Sequence, residues 1–146
     1  MINYYYPLQM SKNQEIVNTM YQNDTFSKWL GIEILSSNLG SCKLKMTIKQ
    51  DMLNGFGIAH GGISYSFADS ALAFASNSHG QKSVSIETSI SHLVSLKLND
   101  VIIAEAKEEH RSNKIGVYHI SVTRESDSQL VAIFKGTVYR TSKLWE

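Results

Sequence analysis

The chain has 146 residues, the size of one ordinary domain, enough to bury about two thirds of the surface that its unfolded form exposes. Fourteen Lys and Arg stand against thirteen Asp and Glu, and charged residues make up only 18% of the chain, so no bias of charge points to nucleic acid or a membrane surface. A single cysteine, Cys42, excludes an internal disulfide and a cysteine-built zinc cluster, and fits a reducing, cytoplasmic setting.

Residues 1–10 are rich in tyrosine and lack the basic start and apolar core of a signal peptide, and are read as a flexible tail. Between residues 11 and 30, Ile16 and Met20 lie four apart, and Asn23, Asp24 and Thr25 punctuate the run, which predicts two short helices. At Ile32 and Ile34 the period changes to two, and Asn38, Leu39 and Gly40 offer a hairpin turn. The second arm carries Cys42, Leu44, Met46 and Ile48 on one face and Ser41, Lys43, Lys45, Thr47 and Lys49 on the other, a half-buried strand. On that apolar face Cys42 reads as an inert core thiol.

Residues 63–77 predict the one long helix. At 100° per residue, Ile63, Phe67, Ala68, Ala71, Leu72, Phe74 and Ala75 fill one half. A surface helix carries Lys and Glu on its wet side, whereas the other half here is small and hydroxylic, with Asp69 as its one charge. The helix is therefore expected to be covered on most sides, and a lone acid in such company must be solvated, paired or used. The run falls short of the roughly 18 apolar residues of a membrane span.

Ser78, His79 and Gly80 form the expected stop. Four more strands are predicted over residues 84–94, 101–109, 115–124 and 130–139, separated by turn-forming residues at 99–100, 111–114 and 125–128. Six strands with one long apolar helix predict an α+β domain, 1–146, in which a largely antiparallel sheet curls around the helix. The side bearing Asp69 needs a cover, which a second copy of the chain would supply.

The chemistry gathers at the helix start. His60, Gly61 and Gly62 lead into it, so amides there have no partner within the helix and suit a carbonyl oxygen gaining negative charge. Gly61 and Asp69 are eight residues apart, roughly 12 Å along the axis, too far to serve one carbonyl from the same helix. A two-fold dimer with antiparallel helices would bring Gly61 of one chain to Asp69 of the other.

The residues that carry this pattern are Met52, Leu53, Asn54 and Gly55, then His60, Gly61 and Gly62, then residues 66–78 around Asp69 and Ser70. With weaker matches at Tyr21, Asp24, Gly116, Tyr118, Phe134 and Gly136, they resemble the hot-dog-fold acyl-CoA thioesterases, in particular the phenylacetate-degradation group, over nearly the whole chain. The resemblance implies hydrolysis of an aryl- or arylacetyl-CoA thioester without metal or redox cofactor. It also implies a homo-oligomer of hot-dog dimers, a homodimer as minimal unit and a homotetramer as the assembly. Asp69 would be nucleophile or general base, Gly61 the amide polarising the carbonyl, and Asn54, His60, Gly62 and Ser70 would line the substrate. The chain departs from the group at His92, Leu93, Val94 and Ser95, where members often have Arg-Pro after Phe-Leu.

Other motifs give less. His79, His92, His110 and His119 show no metal-ligand spacing. Gly55 and Gly57 begin a dinucleotide fingerprint that His60 breaks, and no Gly-x-Ser-x-Gly elbow is present. Arg111 and Lys114 are candidate nucleotide contacts, and Glu108 and Glu109 read as solvated. Two rival functions remain at this stage, an acyl-CoA hydratase or dehydratase using a His and an acid, and a non-catalytic acyl-CoA sensor.

Overall fold

A computed structural model describes residues 9–146; of the expected tail, residues 1–8 lie outside the described residues. Helices α1 (Lys12–Asn23) and α2 (Thr25–Leu30) are followed by the hairpin β1 (Glu33–Asn38) and β2 (Ser41–Thr47). Next come the central helix α3 (Gly61–Asn77) and strands β3 (Gln81–His92), β4 (Val101–Arg111), β5 (Ile115–Arg124) and β6 (Leu130–Leu144). The two short helices are separated by Asp24, whose carboxylate accepts from the Ser27 amide at 2.8 Å and caps α2. Gly31, at φ 73°, ends it.

All strand pairs are antiparallel, in the order β1-β2-β4-β5-β6-β3, and α3 packs along the concave face of this sheet. This is the hot-dog arrangement that the resemblance implies. Alternation decides the faces: Leu44 and Met46 of β2, Ile102 and Ala104 of β4, and Ile120 and Val122 of β5 are all buried. From the helix, Phe67 and Phe74, two turns apart, fill the same core, each contributing about 2–3 kcal/mol by burial. At Gly136 of β6 an added Cβ would overlap the Leu72 side chain, so the missing side chain leaves that space to the helix. Cys42 is buried in this core as expected, and burial pushes its thiol up to about 12.

Several expected boundaries shift. The helix starts at Gly61 rather than residue 63, because His60 caps it with its ring. Strand β3 starts three residues before its expected start and ends two before its expected end, while β4 and β6 run two and five residues past theirs, following the pairing with their neighbours.

At the C-terminal end of α3 the polar groups close on one another. Asn77 Nδ2 donates to Ala73 O at 2.9 Å and Ser83 O at 3.1 Å, while Asn77 Oδ1 accepts from the Ser83 amide at 2.9 Å and Trp145 Nε1 at 2.8 Å. Ser78 Oγ donates to Ala75 O and accepts from the Gly40 amide, tying the β1–β2 turn to the helix. Nearby, Glu108 departs from its expected solvated state. Its Oε2 lies 2.6 Å from His79 Nε2 and accepts from the Tyr118 hydroxyl at 2.7 Å, and its Oε1 accepts from Arg111 Nε at 3.2 Å. Burial alone would raise the Glu108 carboxyl, but the Tyr118, His79 and Arg111 contacts outweigh it and hold the group below its ordinary range. The bulge between Glu108 and His110 in the β4–β5 ladder breaks the strand's alternation at this point, which sequence period alone does not reveal.

Candidate active site

The strand-to-helix connection is a built loop. Asn54 Oδ1 accepts from the Phe56 amide at 2.9 Å, and the Asn54 amide donates to Ile58 O at 2.8 Å, an arrangement that side-chain and backbone turn bonds of Asn favour. The Ala59 amide donates to Leu96 O and the His60 amide to Met52 O, which fixes the chain as it enters α3. His60 Nδ1 accepts from the Gly62 amide at 3.0 Å, and the Ile63 amide turns back to His60 O. The Gly61 N–H alone of these three amides meets no acceptor among the described residues.

That N–H belongs to a cavity of about 260 Å³ lined by Asn54, Ile58, Gly61, Ser64, His92 and Leu96, among others. Asn54 Nδ2 also has no partner among the described residues. The helix dipole adds positive potential at this end. Here, then, is a backbone donor in a partly apolar recess, the arrangement that stabilises an oxyanion.

Asp69 lies elsewhere. It is half-buried and shares a small recess of about 40 Å³ with Leu72, Ala73, Ser76, Ser83, Ser85 and Val138. Its carboxylate forms no salt bridge and accepts no hydrogen bond from the described residues, and burial raises its carboxyl above the ordinary aspartate value of 3.8. Along α3 the half-exposed positions are Gly61, Ile63 and Tyr65 in the first turns and then Ser66, Asp69 and Ala73, which continue with helical spacing from the exposed Gly62, while Ser70, Ser76 and Asn77 are buried. The expectation that the helix is covered on most sides therefore holds, with this one edge open.

The structure thus divides the expected site residues. Gly61 and Asn54 share one cavity, and Asp69 occupies another. His60 and Gly62 are engaged with each other at the cap. Ser70 is brought to neither cavity: its hydroxyl donates to Ser27 Oγ at 2.9 Å, and Ser27 Oγ donates in turn to Asp24 Oδ2 at 2.5 Å, which fastens α2 to the central helix. Arg111 is bonded to Glu108 and Lys114 Nζ stands 5.7 Å from the centre of the Tyr139 ring. Among the described residues no three His, Cys, Asp or Glu side chains group to hold a metal, and no helix is long and apolar enough to cross a membrane.

What sequence reasoning missed is the contribution of β3. Apart from Ile90, which packs on the core, its helix-facing residues are polar: Ser83 and Ser85 beside Asp69, Thr88 hydrogen-bonded to the Tyr65 hydroxyl, and His92 hydrogen-bonded to Ser64. A bulge between Ser85 and Glu87 switches the inward set from odd to even numbers, which hides the pattern from a period-two reading.

Residues 56–131 match the family model described as the thioesterase superfamily, just over half of the chain. The chain belongs to the thioesterase superfamily. This thioesterase is 37% identical over 123 residues to the acyl-coenzyme A thioesterase PaaI of Escherichia coli, covering 84% of this chain and 87% of the relative. The solved structure of the E. coli PaaI protein from the phenylacetic acid degradation operon superposes with a TM-score of 0.89 at 34% identity, covering 91% of this chain and 96% of that one. A Streptococcus mutans protein solved bound to acetyl CoA matches with a TM-score of 0.75 at 27% identity, over 78% of this chain and 91% of that chain.

Proposed function

We propose that this thioesterase hydrolyses an aryl- or arylacetyl-CoA, of phenylacetyl-CoA or hydroxyphenylacetyl-CoA type, to the free acid and coenzyme A, at two composite sites formed by a homodimer. The observation that carries the reading is that Gly61 N–H and the Asp69 carboxylate are both uncommitted and occupy separate recesses of one chain. Antiparallel pairing of two α3 helices along their open edge would bring each Asp69 to the other chain's Gly61. Strand β3 supports such pairing: it is an edge strand of 12 residues with Val84 and Ile86 exposed, and an open edge of that length invites another strand. The homotetramer would join two such dimers, and the buried, reduced Cys42 accords with a cytoplasmic setting.

In this reading Gly61 N–H holds the thioester carbonyl oxygen, and the partner's Asp69 attacks the acyl carbon or takes a proton from water. Asn54 Nδ2 adds a donor at the same recess. The likeness to the E. coli PaaI protein supports the arylacetyl group, and the acetyl-CoA-bound S. mutans structure supports a CoA thioester.

The test is thiol release from a panel of phenylacetyl-, hydroxyphenylacetyl-, benzoyl- and straight-chain acyl-CoAs. Asp69→Asn is expected to lower kcat by about 10²-fold or more. It should also leave the fold as stable or more stable at neutral pH. A raised carboxyl pKa means that the folded state gives up its proton reluctantly, so stability falls as pH rises through 3.8 to the raised value, and asparagine removes that cost. Mixed dimers of Asp69→Asn and Gly61→Pro chains should regain activity through their one intact site. Hybrids that form without rescue would refute the shared site, and altered double-bond absorbance without thiol release would identify a hydratase.

A further inference from the structure

His92 is committed on one side only. Its Nδ1 lies 3.2 Å from Ser64 Oγ, and Ser64 Oγ donates to Gly61 O at 3.2 Å. A carbonyl only accepts and a serine hydroxyl has one proton, so with that proton on Gly61 O the His92 ring must donate through Nδ1–H. The neutral ring then carries its lone pair on Nε2. That atom has no partner among the described residues, faces the cavity of Asn54 and Gly61, and lies 3.1 Å from where a Gly61 Cβ would stand. The cavity's lining holds no carboxylate, lysine or arginine, so Nε2 is its one basic atom.

We propose that His92 is a catalytic base of the thioesterase, oriented by Ser64, which takes the proton of the hydrolytic water and leaves the partner's Asp69 free to act as nucleophile. The proposal rests on the composite-site reading above. In the first step an oxygen of the partner's Asp69 bonds to the acyl carbon, the C–S bond breaks, and its electron pair leaves on sulfur as CoA thiolate. This gives a mixed anhydride. In the second step water bonds to the same acyl carbon while one of its protons passes to His92 Nε2. The anhydride C–O bond breaks and its electron pair restores the Asp69 carboxylate. The imidazolium then returns its proton to the thiolate, so that thioester and water have become acid and thiol.

The geometry also accounts for the glycine. Gly61 admits the substrate to its own amide, and its missing side chain is the space in which the His92 ring sits. Nothing in strand periodicity requires a histidine at the end of β3, next to the open cavity. A ring serving only to pack there would not need Ser64 to fix its tautomer.

Rapid-mixing and steady-state thiol release are measured on the wild type, His92→Gln, Ser64→Ala, Ser64→Thr and Asp69→Asn, with the best-hydrolysed member of the acyl-CoA panel as probe. His92→Gln is expected to release a burst of thiol approaching one per site and then turn over about 10²-fold more slowly. Hydroxylamine should relieve that slow phase by capturing the acyl group as hydroxamate. Ser64→Ala should show a weaker version of the same burst, and Ser64→Thr, which keeps the hydroxyl, should restore the wild-type course. Wild-type turnover by His92→Gln overturns the proposal, and so does slow turnover with no burst, which would leave His92 a positioning residue. Asp69→Asn should give neither burst nor turnover; an active Asp69→Asn overturns the composite-site reading itself, whatever His92→Gln does.

Discussion

The two ends of the central helix are treated in opposite ways. At the C-terminal end the Asn77 side chain ties together Ala73, Ser83 and Trp145, Ser78 bridges to Gly40, and Glu108 gathers His79, Tyr118 and Arg111. At the N-terminal end Gly61, Asn54 and His92 line one cavity, and the Gly61 amide, Asn54 Nδ2 and His92 Nε2 meet no protein partner among the described residues. None of these three residues is buried, so each group is open to a bound substrate. The satisfied end holds the fold, and the open end is where the proposed chemistry would take place.

Substitutions at the two ends should separate activity from stability. The largest effect is expected from Gly61→Pro. Gly61 is the first residue of α3, where proline keeps helical geometry and removes an amide proton the helix does not use, while its Cβ also crowds His92 Nε2 at 3.1 Å. Turnover should fall about 10²- to 10³-fold, the usual cost of losing an oxyanion donor, with the melting temperature little changed. Kinetics beside a thermal melt on the same sample check both halves.

At the other end Asn77→Ala should do the reverse. It strands Trp145 Nε1 and the Ser83 amide, and the expected loss is roughly 1–3 kcal/mol of unfolding free energy in denaturant titration, with kcat preserved in the folded fraction. A kcat that collapsed with stability intact would break the division. The smallest effect is a matter of pH. Because its partners hold the Glu108 carboxyl low, the stability it contributes is present above the ordinary glutamate value of 4.5 and lost as pH falls through the lowered one. Glu108→Gln should therefore unfold with a flatter acid dependence than the wild type, measured by circular dichroism from pH 6 downward.

The fold was legible because its signals are local and periodic. Cys42 to Ile48 announced a strand, and the half-turn of Phe67, Ala71, Phe74 and Ala75 announced a buried helix face. Gly61 and Asp69 stood out because each is unusual where it occurs: a tandem glycine at a helix start, and one acid among small residues. Ser70 could not be assigned from sequence, since its partner Ser27 is 43 residues away and helical phase alone leaves it beside Asp69. The same holds for His92, which meets Ser64 across 28 residues and only after the bulge in β3 has turned it inward. Long-range pairs and bulges are tertiary events, and neither leaves a trace in the period of the chain.

Gly136 carries the last consequence. With no side chain there, β6 packs against Leu72, three residues from Asp69, and sliding the helix by one turn would put Ala68 or Ser76 where Leu72 now fills the space over the glycine. The helix is thus a ruler clamped at its middle. In the proposed dimer, its eight-residue graduation between Gly61 and Asp69 would fix how far apart two acyl groups lie when both are cut at once.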